Sequence, residues 1–230
     1  DKLLLAGVMA LLTLSLVMSY SLSAYTVLHF DYGDFHFFIR QSMAVFIGFG
    51  TMVLLSQMDP DKWFARIGLL LFVLFFILMI AMQFLPASLV TAVGGAKRWI
   101  HVGPMSLAPV EFFKVGFVFF LAWSFSRKLL NKTKMQFWEE VRTFTPYLFV
   151  FMVAVVIIAV FQKDLGQVVV LGATLMVLFL FIGSSWKFFL TLLSGALLAF
   201  VGLIFLAPHR MARIKSWWGP VQDKILSLFT

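Results

Sequence analysis

Apolar residues in this chain come in long unbroken runs. Seven stand out: Leu3–Leu22, Phe38–Leu55, Ile67–Leu85, Leu107–Phe125, Tyr147–Phe161, Leu165–Ile182 and Phe188–Ala207. The hydrocarbon core of a bilayer, about 30 Å thick, takes about 20 apolar residues of helix to cross, so each run predicts a span. From Tyr147 to Ile182 the apolar stretch is interrupted only by Gln162-Lys163-Asp164 and Gly166-Gln167. A single helix of that length would reach about 54 Å at about 1.5 Å per residue, so the pattern predicts two helices joined by a tight polar turn. Pro146 suits the first turn of the fifth helix. Barrel strands alternate apolar and polar side chains, which these runs do not do. The fold class expected is an all-α polytopic membrane protein. About seven helices would form a single integral-membrane domain over residues 1–230, with 208–230 opening a large extracytoplasmic loop.

Composition agrees with the pattern. Hydrophobic residues make up 62% and charged residues 12%, against about 25% charged in a soluble domain. Cysteine is absent, which excludes disulfides and cysteine metal sites. The net charge of +8 fits loop Lys and Arg near anionic head groups; membrane lipids are expected partners and nucleic acid is not. The first run lacks a basic leading segment and is long enough to span, so it reads as a helix and not a removable signal peptide. The start at Asp1 instead of Met reads as a trimmed or incomplete product.

With a cytoplasmic start, nine basic residues fall inside and eight outside. The dense cluster between Arg127 and Arg142 sets the orientation. Eight cations outside are an excess, explained either by lipid head groups or by an anionic ligand on the outer face.

Four polar segments could carry chemistry. Glu111 and Lys114 lie in the fourth run, and spacing i, i+3 places them on one helix face. An unpaired charge at the centre of a membrane helix costs about 2.5–3.5 kcal/mol, so such charges pair or face a polar cavity. The pair reads as a structural tie, as a cavity wall, or as both. Ala108-Pro109 puts a break or a helix start just before it. Lys97 and Arg98, in Gly94-Gly95-Ala96-Lys97-Arg98-Trp99-Ile100, are either phosphate-gripping donors or interfacial anchors. Asp164, in Lys163-Asp164-Leu165-Gly166, is either the N-cap of the sixth helix or a group that orients substrate. Arg210, Arg213 and Lys215 precede Trp217-Trp218-Gly219-Pro220-Val221-Gln222-Asp223, where Asp223 is the carboxylate able to act as a base on the outer face. His29, His36, His101 and His209 lack ligand spacing and read as interfacial.

Together these segments resemble the FtsW/RodA family of SEDS glycosyltransferases. The loop at 94–100 resembles that family's N-G-A-R-R-W-I. Pro104 to Lys114 resembles G-P-x-x-x-Q-P-S-E-x-x-K, Gln162 to Gly166 resembles Q-P-D-L-G, and Arg210 to Asp223 resembles a segment ending in W-x-P-x-x-D. The four motifs come in the right order across the chain, with a lean toward the FtsW (division) branch. Departures are Gly94 or Gly95 for Asn, Ala108-Pro109-Val110 for Gln-Pro-Ser, and Lys163 for Pro.

The resemblance implies a ten-span fold, hence about three further spans after Thr230. It implies polymerisation of lipid II into peptidoglycan glycan strands at the outer face of the bacterial cytoplasmic (inner) membrane, during division or elongation. Asp223 would be the catalytic base. Lys97, Arg98, Glu111, Lys114, Asp164, Arg210 and Arg213 would contact substrate. A class B penicillin-binding protein and other divisome proteins would be partners. A divalent cation, Mg or Mn, would suit a diphosphate leaving group, though the sequence displays no ligand set for it. The alternatives are a lipid-linked precursor transporter (a flippase), to which an intramembrane Glu–Lys pair is equally natural, and an inactive fragment acting as a scaffold.

Overall fold

A computed structural model describes residues 2–27, 33, 35–86, 88–93, 95–102, 105–129, 135–205, 211–212, 216 and 218–219. Among the described residues there are seven α-helices: α1 (Lys2–Val27), α2 (His36–Ser56), α3 (Pro60–Ala81), α4 (Pro109–Leu129), α5 (Phe137–Val156), α6 (Leu165–Phe181) and α7 (Trp186–Phe205). Three short strands, β1 (Val90–Val93), β2 (Ala96–Val102) and β3 (Met105–Leu107), lie between α3 and α4 and form a sheet in the order β1-β2-β3. Among the described residues six helical segments are long and apolar enough to cross a membrane, and α6 is a shorter apolar helix. At about 1.5 Å per residue α6 is roughly 26 Å long, close to the hydrocarbon thickness.

By their contacts the residues fall into two units. The first holds Asp1–Phe64 and His101–Leu107. In it α1 packs on α2, joined by a hydrogen bond from Gln41 Nε2 to Ser15 Oγ of 2.6 Å. Polar side chains link membrane helices in this way because lipid offers them no partner. Tyr20 adds an edge-on contact with Phe38.

The second unit holds Ala65–Ile100 and Ala108–Thr230. Its core is a phenylalanine stack. Phe113, Phe117, Leu121 and Phe125 recur every four residues along α4, which puts them on one stripe, and all are buried. Phe125 meets Phe144 of α5 and Phe179 of α6, and both of those meet Phe188 of α7. Phe72 of α3 stacks on Phe120 at 4.7 Å between centroids. The crossing of α3 and α4 is set by glycine: a Cβ on Gly116 would run into the backbone of Leu71 and Phe72. Small residues permit such backbone approach between membrane helices.

At the other end of this bundle, Glu140 of α5 is buried and its carboxylate accepts from Ser185 N–H at 2.6 Å and from the Ser185 hydroxyl. Ser185 Oγ in turn accepts from Phe188 N–H, so Glu140 braces the capped start of α7.

Two expectations about the fifth helix change. It begins at Phe137, ahead of the expected Tyr147, and Pro146 lies inside it. Trp138-Glu139-Glu140 and Arg142 are too polar for the hydrocarbon but not for helix, and acidic residues suit a first turn. Pro146 cannot donate to the carbonyl of Arg142, a loss that packed membrane helices tolerate. Beyond Val156 the helix widens into a π turn, Ile157–Phe161, before ending at Gln162.

Candidate functional site

Of the segment at 94–100, expected as a loop, residues 95–100 form most of a β-hairpin's turn and second strand. Val90 pairs with Ile100, Thr91 with Trp99, Ala92 with Lys97 and Val93 with Ala96. The register shifts between Thr91 and Ala92, which leaves Arg98 as the extra, bulged residue of β2. Bulges re-aim the side chain they carry. At the turn Gly95 has φ of +72°, a conformation that favours glycine. A Cβ there would also lie 2.9 Å from Lys163 Nζ.

Arg98 reaches the turn between α5 and α6. Its Nε donates to Gln162 O at 2.7 Å and an NH2 group to Lys163 O at 2.9 Å; Asp164 Oδ2 lies 3.8 Å from the guanidinium. Lys97 donates to Gln83 O at 2.9 Å and to Leu85 O at 2.8 Å, the carbonyls that follow α3. Both hairpin cations therefore hold backbone carbonyls at helix ends.

The turn has an unusual shape. Gln162 N–H returns to Ile157 O, closing the π turn, and Asp164 N–H reaches Ile158 O. Lys163 between them has φ of +52°, the left-handed geometry of a helix-ending cap. The Gln162 side chain is buried against Met82 Sδ. Asp164 is the N-cap of α6, its Oδ1 accepting from Gln167 N–H at 3.2 Å.

Helix α4 starts at Pro109, where the missing N–H costs nothing. One turn on, Lys114 Nζ lies 2.8 Å from Glu111 Oε2. The pair is not alone: Gln167 of α6 accepts from Lys114 Nζ at 2.6 Å through Oε1 and donates to Glu111 Oε1 at 2.8 Å through Nε2. Lys114 is mostly buried, and the Glu111 side chain is 50% exposed. The five expected residues in the described part, Lys97, Arg98, Glu111, Lys114 and Asp164, thus lie along one polar seam from the hairpin through the turn to the α4 pair. Arg210, Arg213 and Asp223 lie outside the described residues.

Spacing missed two members of this seam. Gln167 reads in sequence only as a polar break in an apolar run, and Gln162 as part of a turn. One signal was present: Gln167 stands three residues after Asp164, the spacing at which an N-cap meets a backbone amide.

Among the described residues no group of three or more His, Asp or Glu side chains could hold a metal ion. Both carboxylates of the seam are already engaged, Glu111 by Lys114 and Gln167 and Asp164 by Arg98 and a backbone amide.

Apolar helices long enough to cross a membrane, with a charged pair braced from a neighbouring helix of the second unit, define a polytopic membrane protein with a polar site. The family model for FtsW, RodA and SpoVE, described as cell cycle protein, matches residues 1–227, and the chain belongs to this family. It is 48% identical over 219 residues to a probable peptidoglycan glycosyltransferase FtsW of Helicobacter pylori, covering 95% of this chain and 56% of that protein. It is 34% identical to the stage V sporulation protein E of Bacillus subtilis, over 100% of this chain and 60% of that protein. The chain thus spans somewhat more than half the length of these relatives. The crystal structure of the rod shape determining protein RodA of Thermus thermophilus shares the fold at a TM-score of 0.57 and 19% identity, over 84% of this chain and 58% of that one. A chain of a peptidoglycan synthase complex that coordinates polymerization and crosslinking matches at a TM-score of 0.56 and 21% identity, over 93% of this chain and 60% of that one. Family membership and the apolar helices make this a multi-pass protein of the inner membrane.

Proposed function

We propose that the protein is the polymerase core of a peptidoglycan glycosyltransferase, joining lipid II units into glycan strands at the outer face during cell division. The observation that carries this reading is the braced Glu111–Lys114–Gln167 cluster beside the Arg98–Asp164 turn. It stands in a chain 48% identical to a probable enzyme of that class. A substrate with a lipid tail and a diphosphate needs an apolar flank and a polar, cationic end, and the second unit offers both.

In the proposed reaction the acceptor sugar 4-hydroxyl attacks the anomeric carbon of the donor. The new C–O bond forms as the bond to the diphosphate breaks, and undecaprenyl diphosphate leaves with the electron pair. Asp223 takes the hydroxyl proton as general base. Arg210 and Arg213 supply positive charge where negative charge develops on the leaving group, and Lys97 and Arg98, which hold backbone carbonyls at helix ends, shape the same end of the site. Glu111 and Lys114 form the cavity wall. A class B penicillin-binding protein of the divisome, acting at the septum, is the proposed partner that crosslinks the strands.

The test is polymerisation of purified lipid II by the complete gene product in detergent. Glycan strands from the wild type, and a loss of about 10²-fold or more with Asp223→Ala, are expected for removal of an essential base. Strands of normal length from Asp223→Ala would dismiss the assignment of the base. Lipid II moved across vesicles without any polymer would favour the transporter instead.

A further inference from the structure

We infer that Gln167 is the positioning residue that holds Glu111 and Lys114 in their working arrangement. The inference rests on the polymerase reading above. A charge pair at i, i+3 on one helix is weakly held, because two long side chains must give up their freedom for one contact. Here the pair is closed into a ring by a third group from another helix. The carboxamide of Gln167 accepts from Lys114 at 2.6 Å and donates to Glu111 at 2.8 Å, while the pair itself closes at 2.8 Å. A neutral amide offers a donor and an acceptor in one plane without adding charge. Leucine would offer neither, and an ionised glutamate would present a second carboxylate to Glu111.

Gln167 is itself held. It lies in the first turn of α6, its N–H bonded to Asp164 Oδ1, and Asp164 faces Arg98 of β2. The charged groups around it are therefore Glu111 and Lys114 from α4, Asp164 from its own helix and, behind Asp164, Arg98 from the hairpin. The hairpin, Asp164, Gln167 and the α4 pair thus form one continuous line of polar contacts. This gives the amide a part in the reaction that the pair alone would not reveal.

The experiment compares the complete gene product with Gln167→Leu and Gln167→Glu in lipid II polymerisation, with thermal midpoint and gel filtration as checks on folding. Misplacement of the pair by Gln167→Leu should slow turnover by about 10–100-fold in a folded protein. Gln167→Glu should be similarly slow at neutral pH. Below about pH 6 it should regain activity relative to wild type, because a protonated carboxyl again donates to Glu111 and accepts from Lys114. A ratio to wild type that stays flat with pH, or normal turnover in Gln167→Leu, overturns the inference. Wild-type protein that makes no strands instead overturns the polymerase reading. A double-mutant cycle of Gln167→Leu with Lys114→Met, read as thermal midpoints, then decides the clamp. Non-additive shifts support it and additive shifts remove it.

Discussion

Lys163 shows how much a single backbone angle can decide. The family pattern has proline at this position, and proline holds φ near −65°; here φ is +52°. The turn of this chain is closed to the residue that the pattern would restore. Lys163→Pro should therefore lower the thermal midpoint by roughly 5 °C or more, whereas Lys163→Asn, which tolerates the left-handed region, should shift it little. Equal midpoints for the two variants in a detergent melt would contradict this account. In the sequence the departure from proline was visible, but its meaning was not. Sign of φ is a property of how the π turn ends, and no local residue pattern announces it. Asp164 was more readable: a cap depends on its own side chain and on an amide three residues on, both written in sequence.

Among the elements, α3 and α4 are bound together by a missing side chain. Gly116 lets the backbone of α4 meet that of α3 at Leu71 and Phe72, and Gly68 allows a second approach at Phe119. A methyl group at 116 would press on backbone, which moves less readily than a side chain. Gly116→Ala should cost about 1–3 kcal/mol as overpacking, and Gly116→Leu should fail to give monodisperse protein. Gel filtration and thermal melts of the purified variants check both. Hydropathy found the helices because long apolar runs have few other fates, but it could not find this crossing. Nor could it find the start of α5. Glu140 belongs to helix without belonging to hydrocarbon, and a window tuned to apolar residues stops at the membrane edge.

Across the second unit, polar ties stand at both ends of an apolar middle. Arg98, Lys97 and the Gln167 ring secure one end, and Glu140 on Ser185 secures the other. Between them lies the phenylalanine stack, which packs well but fixes no register by itself. Glu140→Ala should leave the part-buried Ser185 amide without this partner at a cost of about 1 kcal/mol, while Glu140→Gln keeps an acceptor and should lose less. Thermal unfolding of the two variants, ranked against wild type, is the check, and an unchanged midpoint in Glu140→Ala would remove this tie from the picture. Sequence could place the charged pair on α4 because both members share a helix. Partners drawn from other helices, as with Gln167 and Ser185, depend on packing that one chain's periodicity does not record.

The π turn at Ile157–Phe161 has a consequence for how such a protein changes over generations. A π turn amounts to an α-helix that has taken in one extra residue. Each residue of an α-helix turns the chain by about 100°. Loss of that one residue would leave the packing of Phe144 and Tyr147 as it is and swing Gln162, Lys163 and Asp164 away from Arg98. One helix thus serves two registers, one for folding and one for the polar seam. A single insertion or deletion is enough to retune the second while the first is inherited intact.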